Sequence, residues 1–184
     1  MNTKIITALL LSICLGVSSS AVIAKDPNLG NVMVLNLIGT SEGTPSTVPD
    51  IDGDGEADDA TCFTVDLVNA KNGHWIGSAD DCLSMIEAVD GGISLVGTTY
   101  FHLPQGTLVT RGKTTVQPAV TNIVTRTNRT MTHITGAAGA GNAILEESTG
   151  RFTGQEGTVR LSGMVDMSVE GEITFDCLFV IALN

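Results

Sequence analysis

The sequence predicts an all-β fold of about eight short strands, closed into a barrel or folded as a sandwich, behind a removable leader. Glycine is scattered through the chain, 21 times in 184 residues, so long helices are disfavoured. Thr, Val and Ile recur in short runs broken by Gly, Asn, Asp or Pro, which is how strands and turns alternate. The first residues have a composition unlike the rest.

That opening segment carries Lys4, an apolar stretch over residues 5–17, then Ser18, Ser19 and Ser20 ahead of Val22-Ile23-Ala24. A basic start, an apolar core and small residues at the end are the layout of a cleavable secretory signal, residues 1–24, cut after Ala24. The apolar core is shorter than the roughly 20 residues of a spanning helix. Cys14 follows Ile13, whereas a lipidated cysteine normally follows a small residue, so lipidation is disfavoured. Residues 25–184 are long enough for one domain with its own core. The expected location is the periplasm or the exterior.

The formal charge is −11, and removal of Lys4 with the leader makes it one unit more negative. Such a chain disfavours nucleic acid and anionic membrane surfaces as partners and favours cations or neutral molecules. The apolar tail at residues 173–183 is interrupted by Asp176 and is too short to span a membrane.

In chain order, strands are expected at residues 31–38, 61–68, 75–79, 93–103, 107–115, 141–147, 157–165 and 170–183. Residues 84–89 read as a helical turn or short helix, and residues 117–132 carry few turn signals. The clearest turn is Ala70-Lys71-Asn72-Gly73-His74, where Asn-Gly supplies the positive φ of a tight hairpin. With residues 71–73 as a three-residue loop, paired residue numbers sum to a constant and Cys62 falls opposite Cys82. In an oxidising compartment that register predicts a structural disulfide. Cys177, in an apolar run, reads as a buried small hydrophobe, with a reactive thiol as the alternative.

The chemistry-bearing motif is Asp50-Ile51-Asp52-Gly53-Asp54-Gly55-Glu56-Ala57-Asp58-Asp59. Alternating carboxylates can converge on one point while the glycines turn the backbone, and hard oxygen ligands at this spacing suit Ca²⁺ ahead of Mg²⁺. Asp50, Asp52 and Asp54 stand in the first, third and fifth places of an EF-hand-like loop, with Glu56 offering a carbonyl in the seventh. Thr61 then stands in the twelfth place and a strand follows, so the loop departs from the EF-hand. It resembles the short Asp-x-Asp-Gly-Asp-Gly loops between strands of secreted bacterial proteins, in which Asp58 or Asp59 would complete the shell. The alternative is a solvated acidic linker, since residues 41–49 are rich in Gly, Thr, Ser and Pro. A metal here would pin the loop against the Cys62 strand rather than catalyse.

Other candidates carry less. His74, His102 and His133 stand apart from any zinc-type spacing, and no Gly-x-Ser-x-Gly is present. Glu146 and Glu147 are adjacent, which in a strand sends them to opposite faces. The glycines of Gly136-Ala-Ala-Gly139-Ala-Gly141 lack a following Lys, so a flexible turn outweighs a phosphate loop.

Three passages of the C-terminal half carry a likeness to a known family. They are Gly106-Thr-Leu-Val-Thr-Arg-Gly112, His133-Ile-Thr-Gly-Ala-Ala-Gly139 and Gly150-Arg-Phe-Thr-Gly154-Gln-Glu-Gly157-Thr-Val-Arg-Leu161. From about residue 93 onward the order of elements resembles the allene oxide cyclase and dirigent proteins. The resemblance implies a single antiparallel eight-stranded barrel with a central cavity, and dimers or trimers. In those families the cavity steers the cyclisation or coupling of a reactive hydrophobic intermediate. No catalytic residue carries over, because the acidic loop and the cysteine hairpin have no counterpart there.

The leading expectation is therefore an exported, calcium-stabilised barrel that binds a small hydrophobic molecule, with a cyclase-like or dirigent-like steering role. The polar residues expected to line its cavity are Tyr100, His102, Arg111 and Glu146, on strands that alternate apolar and polar positions. The alternative from another class is a structural or adhesive surface protein with a calcium-responsive loop. A hydrolase would need a convergent Ser/His/Asp set or a Glu pair.

Overall fold

The computed structural model describes residues 32–125, 128–137 and 142–184; the predicted leader, residues 1–24, lies outside them, as do Cys14 and part of the glycine-rich turn. The strands are β1 (Val32–Glu42), β2 (Thr44–Val48), β3 (Asp58–Asn69), β4 (Trp75–Val89), β5 (Gly92–Leu103), β6 (Gly106–Val124), β7 (Thr130–Ala137), β8 (Ala143–Ile144), β9 (Gly157–Asp166) and β10 (Glu172–Leu183). Antiparallel pairing runs β1-β10-β9-β7-β6-β5-β4-β3, and β3 pairs back onto β1. The expected barrel of eight antiparallel strands is thus closed. The sandwich alternative is set aside, since closure leaves no edge between β1 and β3.

Alternation explains which face turns inward. In β10, Ile173, Phe175, Cys177, Phe179 and Ile181 are all buried, and the residues between them are not. Phe63, Val65 and Leu67 of β3 do the same while Thr64 and Asp66 face out. These side chains pack with Leu35, Leu37, Phe101 and Leu108 into one core, with Phe101 and Phe179 meeting edge to face at 5.1 Å between centroids. A 3₁₀ turn at Gly150–Phe152 inserts Phe152 into the same core. A Cβ on Gly150 would meet the Gln105 carbonyl oxygen at 2.3 Å, so the turn lies against the start of β6 only because that residue is glycine.

Several expected elements are corrected. Residues 84–89 are not helical: they continue β4, pairing Glu87 with Ser94 and Val89 with Gly92 after a bulge at which Met85 takes φ +48°. Pairing with β5 overrides the weak helix preference of Met, Glu and Ala. The segment before the acidic loop, read as linker-like, holds β2, which pairs with β3 from Thr44↔Cys62 to Val48↔Asp58. The strand expected at 141–147 shrinks to β8, which lies between β6 and β9. Residues 117–132 complete β6 and open β7, with a register shift between Pro118 and Ile123, where proline has no N–H to give the ladder.

The cysteine register holds, although its turn differs. Val68 pairs with Trp75, and a bulge at Leu67/Val68 restores the register that sets Cys62 opposite Cys82. The disulfide is formed, with Cα atoms 3.9 Å apart. Cys177 is a free, buried thiol.

Candidate functional site

Two arrangements stand out, one on the outer wall and one inside. Outside, the chain from β2 to β3 curls so that carboxylate oxygens of Asp50, Asp52 and Asp58 all lie within 4.8 Å of one another. Gly53 and Gly55, at φ +86° and +92°, turn their N–H groups onto Asp50 at 2.7 and 2.8 Å. Those two bonds, led by Gly53, hold the Asp50 carboxyl below the usual range. Asp58 accepts the Ile51 N–H at 2.6 Å, which closes the loop. Asp54 accepts the Glu56 N–H instead of joining the trio, and neither Glu56 nor Asp59 belongs to it. The trio is an acidic cluster able to hold a metal ion; its geometry does not choose among hard divalent cations.

The loop is tied down from two sides. Val48, Ala60 and Cys82 form a small outer core against which Ile51, Cys62 and Tyr100 pack. Arg111 of β6 reaches over β5, donating to Thr98 Oγ1 at 3.1 Å, to the Asp50 carbonyl at 2.8 Å and to the Pro49 carbonyl.

Three of the four side chains expected to line the cavity are therefore elsewhere. Tyr100 belongs to the outer core, where burial first, and then the charge of Glu147, raise its phenol. His102 is on the same outer face, with Nε2 2.8 Å from Asp80 Oδ2 and Nδ1 3.2 Å from Thr107 Oγ1. Glu146 is exposed in a turn. Arg111 borders the cavity from β6, but its guanidinium is directed to the acidic loop. On β5 the pairs Thr98-Thr99 and Tyr100-Phe101 blur the alternation, and a one-residue slip moves every side chain to the other face. Asp80, His102 and Thr107 form a hydrogen-bonded chain on the outer face, and the Thr107 N–H donates to Thr149 Oγ1 at 3.1 Å.

Inside, a cavity of about 50 Å³ lies between β4, β5, β6, β9 and β10. Its wall is mostly apolar, with Leu95, Val159, Leu161 and Phe175 among the lining. Two glycines border it. Gly97 and Gly112 face each other across β5 and β6. At Gly112 a Cβ would strike the Asn142 side chain at 2.4 Å, so that glycine makes room for a neighbour. At Gly97 a Cβ would make ordinary contacts with Thr114 Oγ1 at 3.7 Å and the Gly112 carbonyl oxygen at 3.9 Å, so an alanine would fit beside the cavity there.

Asp81, paired across β4 and β3 with Phe63, points into this cavity and is 8% exposed. The Thr99 hydroxyl donates to its Oδ1 at 2.7 Å. Burial pushes the Asp81 carboxyl up to about 6, with the Thr99 bond working against it. Burial, and next the charge of Asp81, keep Cys177 a thiol. No protein-family model and no curated protein matches the chain.

Neither Asp81 nor Gly97 was expected from the sequence, though a signal was there. The register that sets Cys62 opposite Cys82 also sets Asp81 opposite Phe63, a carboxylate on the strand face that carries the core. A larger groove of about 770 Å³ lies outside the barrel, beside the β3–β4 turn and the end of β6. There Asn36 donates to Asp176 at 3.1 Å, while its own Oδ1 is buried without a hydrogen-bond partner among the described residues.

Proposed function

We propose that this protein is an exported barrel, stabilised by Ca²⁺ at Asp50, Asp52 and Asp58, that admits a small and mostly apolar molecule to its interior. The observation that carries the reading is a buried carboxyl, Asp81, and a strand-interior glycine, Gly97, lining one mostly apolar cavity. A glycine in a strand interior weakens the strand, and a carboxyl in an apolar interior costs stability. Keeping both where an alanine and an asparagine would fit is what a binding site requires. At about 50 Å³ the cavity holds one or two water-sized groups as it stands, one water occupying about 30 Å³ of liquid, so a guest of three or four heavy atoms enters only as the wall yields. Export is supported by the disulfide, which suits an oxidising compartment. The likeness to allene oxide cyclases and dirigent proteins extends the reading to steering of a reactive intermediate, with Asp81 as the acid or base.

The test is a native mass spectrum of the full chain exported from a heterologous host and purified in calcium, beside its denatured mass with and without reductant. A small mass retained natively and lost on denaturation supports the reading, and the same spectrum reports leader cleavage, bound metal and any oligomer. An empty barrel that self-associates only with calcium would favour a structural or adhesive protein instead. That second reading rests on the placement of the acidic cluster on the outer wall, away from the cavity.

A further inference from the structure

We infer that the guest of the interior site is a small primary amine, bound as its ammonium ion against Asp81 with its alkyl part beside Gly97. The inference rests on the interior-binding reading above and adds the chemical class of the ligand. An ionised carboxylate only accepts hydrogen bonds, and Asp81 receives a single one, from Thr99. The neighbouring Asn142 oxygen already accepts the Lys113 N–H at 3.0 Å. Among the described residues, the one cation that borders the cavity, Arg111, places its guanidinium on Thr98 and on the carbonyls of Pro49 and Asp50. The interior thus offers a negative charge with no positive partner from the wall. A guest that brings its own N–H donors and positive charge supplies the missing half of the pair, whereas an anion would meet like charge.

The surroundings of Asp81 also set how the site responds to pH. Asp81 pairs with Phe63 of β3 and Thr99 of β5, and Thr110 and Arg111 of β6, Leu161 of β9 and Cys177 of β10 line the same cavity. Cys177 is the titratable group among them, and it stays protonated. Asp81 alone therefore controls the local charge, and amine binding weakens as acidification neutralises it.

The test is an NMR titration of the calcium-loaded, disulfide-bonded full chain at pH 7.5 with propylammonium, 1-propanol and propionate, and with xenon as an uncharged probe. Propylammonium is expected to bind about tenfold more tightly than 1-propanol, the difference between a charge-assisted and a neutral hydrogen bond. Propionate should bind least. Asp81→Asn should erase the preference for the amine while leaving 1-propanol and xenon unaffected, and lowering the pH to 5 should weaken only the amine. Equal binding of amine and alcohol, or an amine preference that survives in Asp81→Asn, overturns the ligand class but leaves the interior site standing. Absence of any shift at Gly97 with every probe, xenon included, overturns both.

Discussion

The guanidinium of Arg111 donates to the main-chain oxygen of Asp50 at 2.8 Å, joining a barrel strand to the first carboxylate of the acidic loop. Through that contact a cation held by the trio would be coupled to the barrel wall. Saturating calcium should raise the melting temperature, by an amount that corresponds to about 3 kcal/mol at a hundredfold excess over Kd. Arg111→Ala should weaken calcium binding and cost roughly 1–3 kcal/mol, while Asp52→Asn should lower affinity without that cost in the calcium-free protein. Calorimetry with and without a chelator measures both. An Arg111→Ala protein with unaltered calcium affinity would separate the loop from the wall.

The Cys62–Cys82 bond closes a loop with a sequence separation of 20 and fixes β3 to β4 beneath the acidic loop. Its loss should lower stability by about 3 kcal/mol through the freedom returned to the unfolded chain. The double variant Cys62→Ala/Cys82→Ala should match the reduced wild type in urea unfolding. Equal midpoints for oxidised and reduced protein would contradict a structural role.

Asp81 should make the protein more stable in mild acid. Its folded carboxyl, at about 6, lies above the ordinary value of 3.8, so the native state holds its proton more tightly than the unfolded chain. The contribution is fully favourable below pH 3.8 and is lost as pH rises through 6. Asp81→Asn, which keeps an oxygen for the Thr99 hydroxyl, should therefore stabilise the protein at pH 7.5 by on the order of 2–3 kcal/mol. The gain should vanish near pH 4. Denaturant midpoints at the two pH values decide it, and destabilisation by Asp81→Asn at pH 7.5 would mean that the ionised group has a partner in the wall.

Gly97 should be replaceable at a gain in stability. A Cβ there would make only ordinary contacts, the nearest at 3.7 Å, so Gly97→Ala should add about 0.4–1 kcal/mol by restricting the unfolded chain. Gly97→Leu should fill the cavity and remove guest binding while the barrel stays folded. Circular dichroism and the probe titration together read this, and a Gly97→Leu protein that still takes up xenon would place the guest elsewhere.

Much of the fold was legible because alternation in β3 and β10 is clean and because Asn72-Gly73 marks a hairpin whose register sets the cysteines opposite each other. The weaker parts share a physical cause. Met85, Glu87 and Ala88 prefer helix locally, and only pairing with β5 makes them strand. β2 was hidden in a Thr, Ser and Pro segment whose sole buried anchor is Val48. In the acidic loop the sequence identified the carboxylates but not which three converge, since that depends on the turns at Gly53 and Gly55. Tyr100 and His102 were assigned to the wrong face because two Thr and then two aromatic residues stand side by side in β5. Asp81 was missed because its face is set by long-range pairing with Phe63, not by its neighbours in the chain.

The most direct test of the interior site is a crystal of the calcium-loaded, oxidised protein held under xenon pressure. The account predicts a xenon atom inside the barrel beside Gly97, within reach of Leu95 and Phe175 and adjoining Asp81. A barrel whose interior stays free of xenon, with wall side chains filling the space at Gly97, would contradict it.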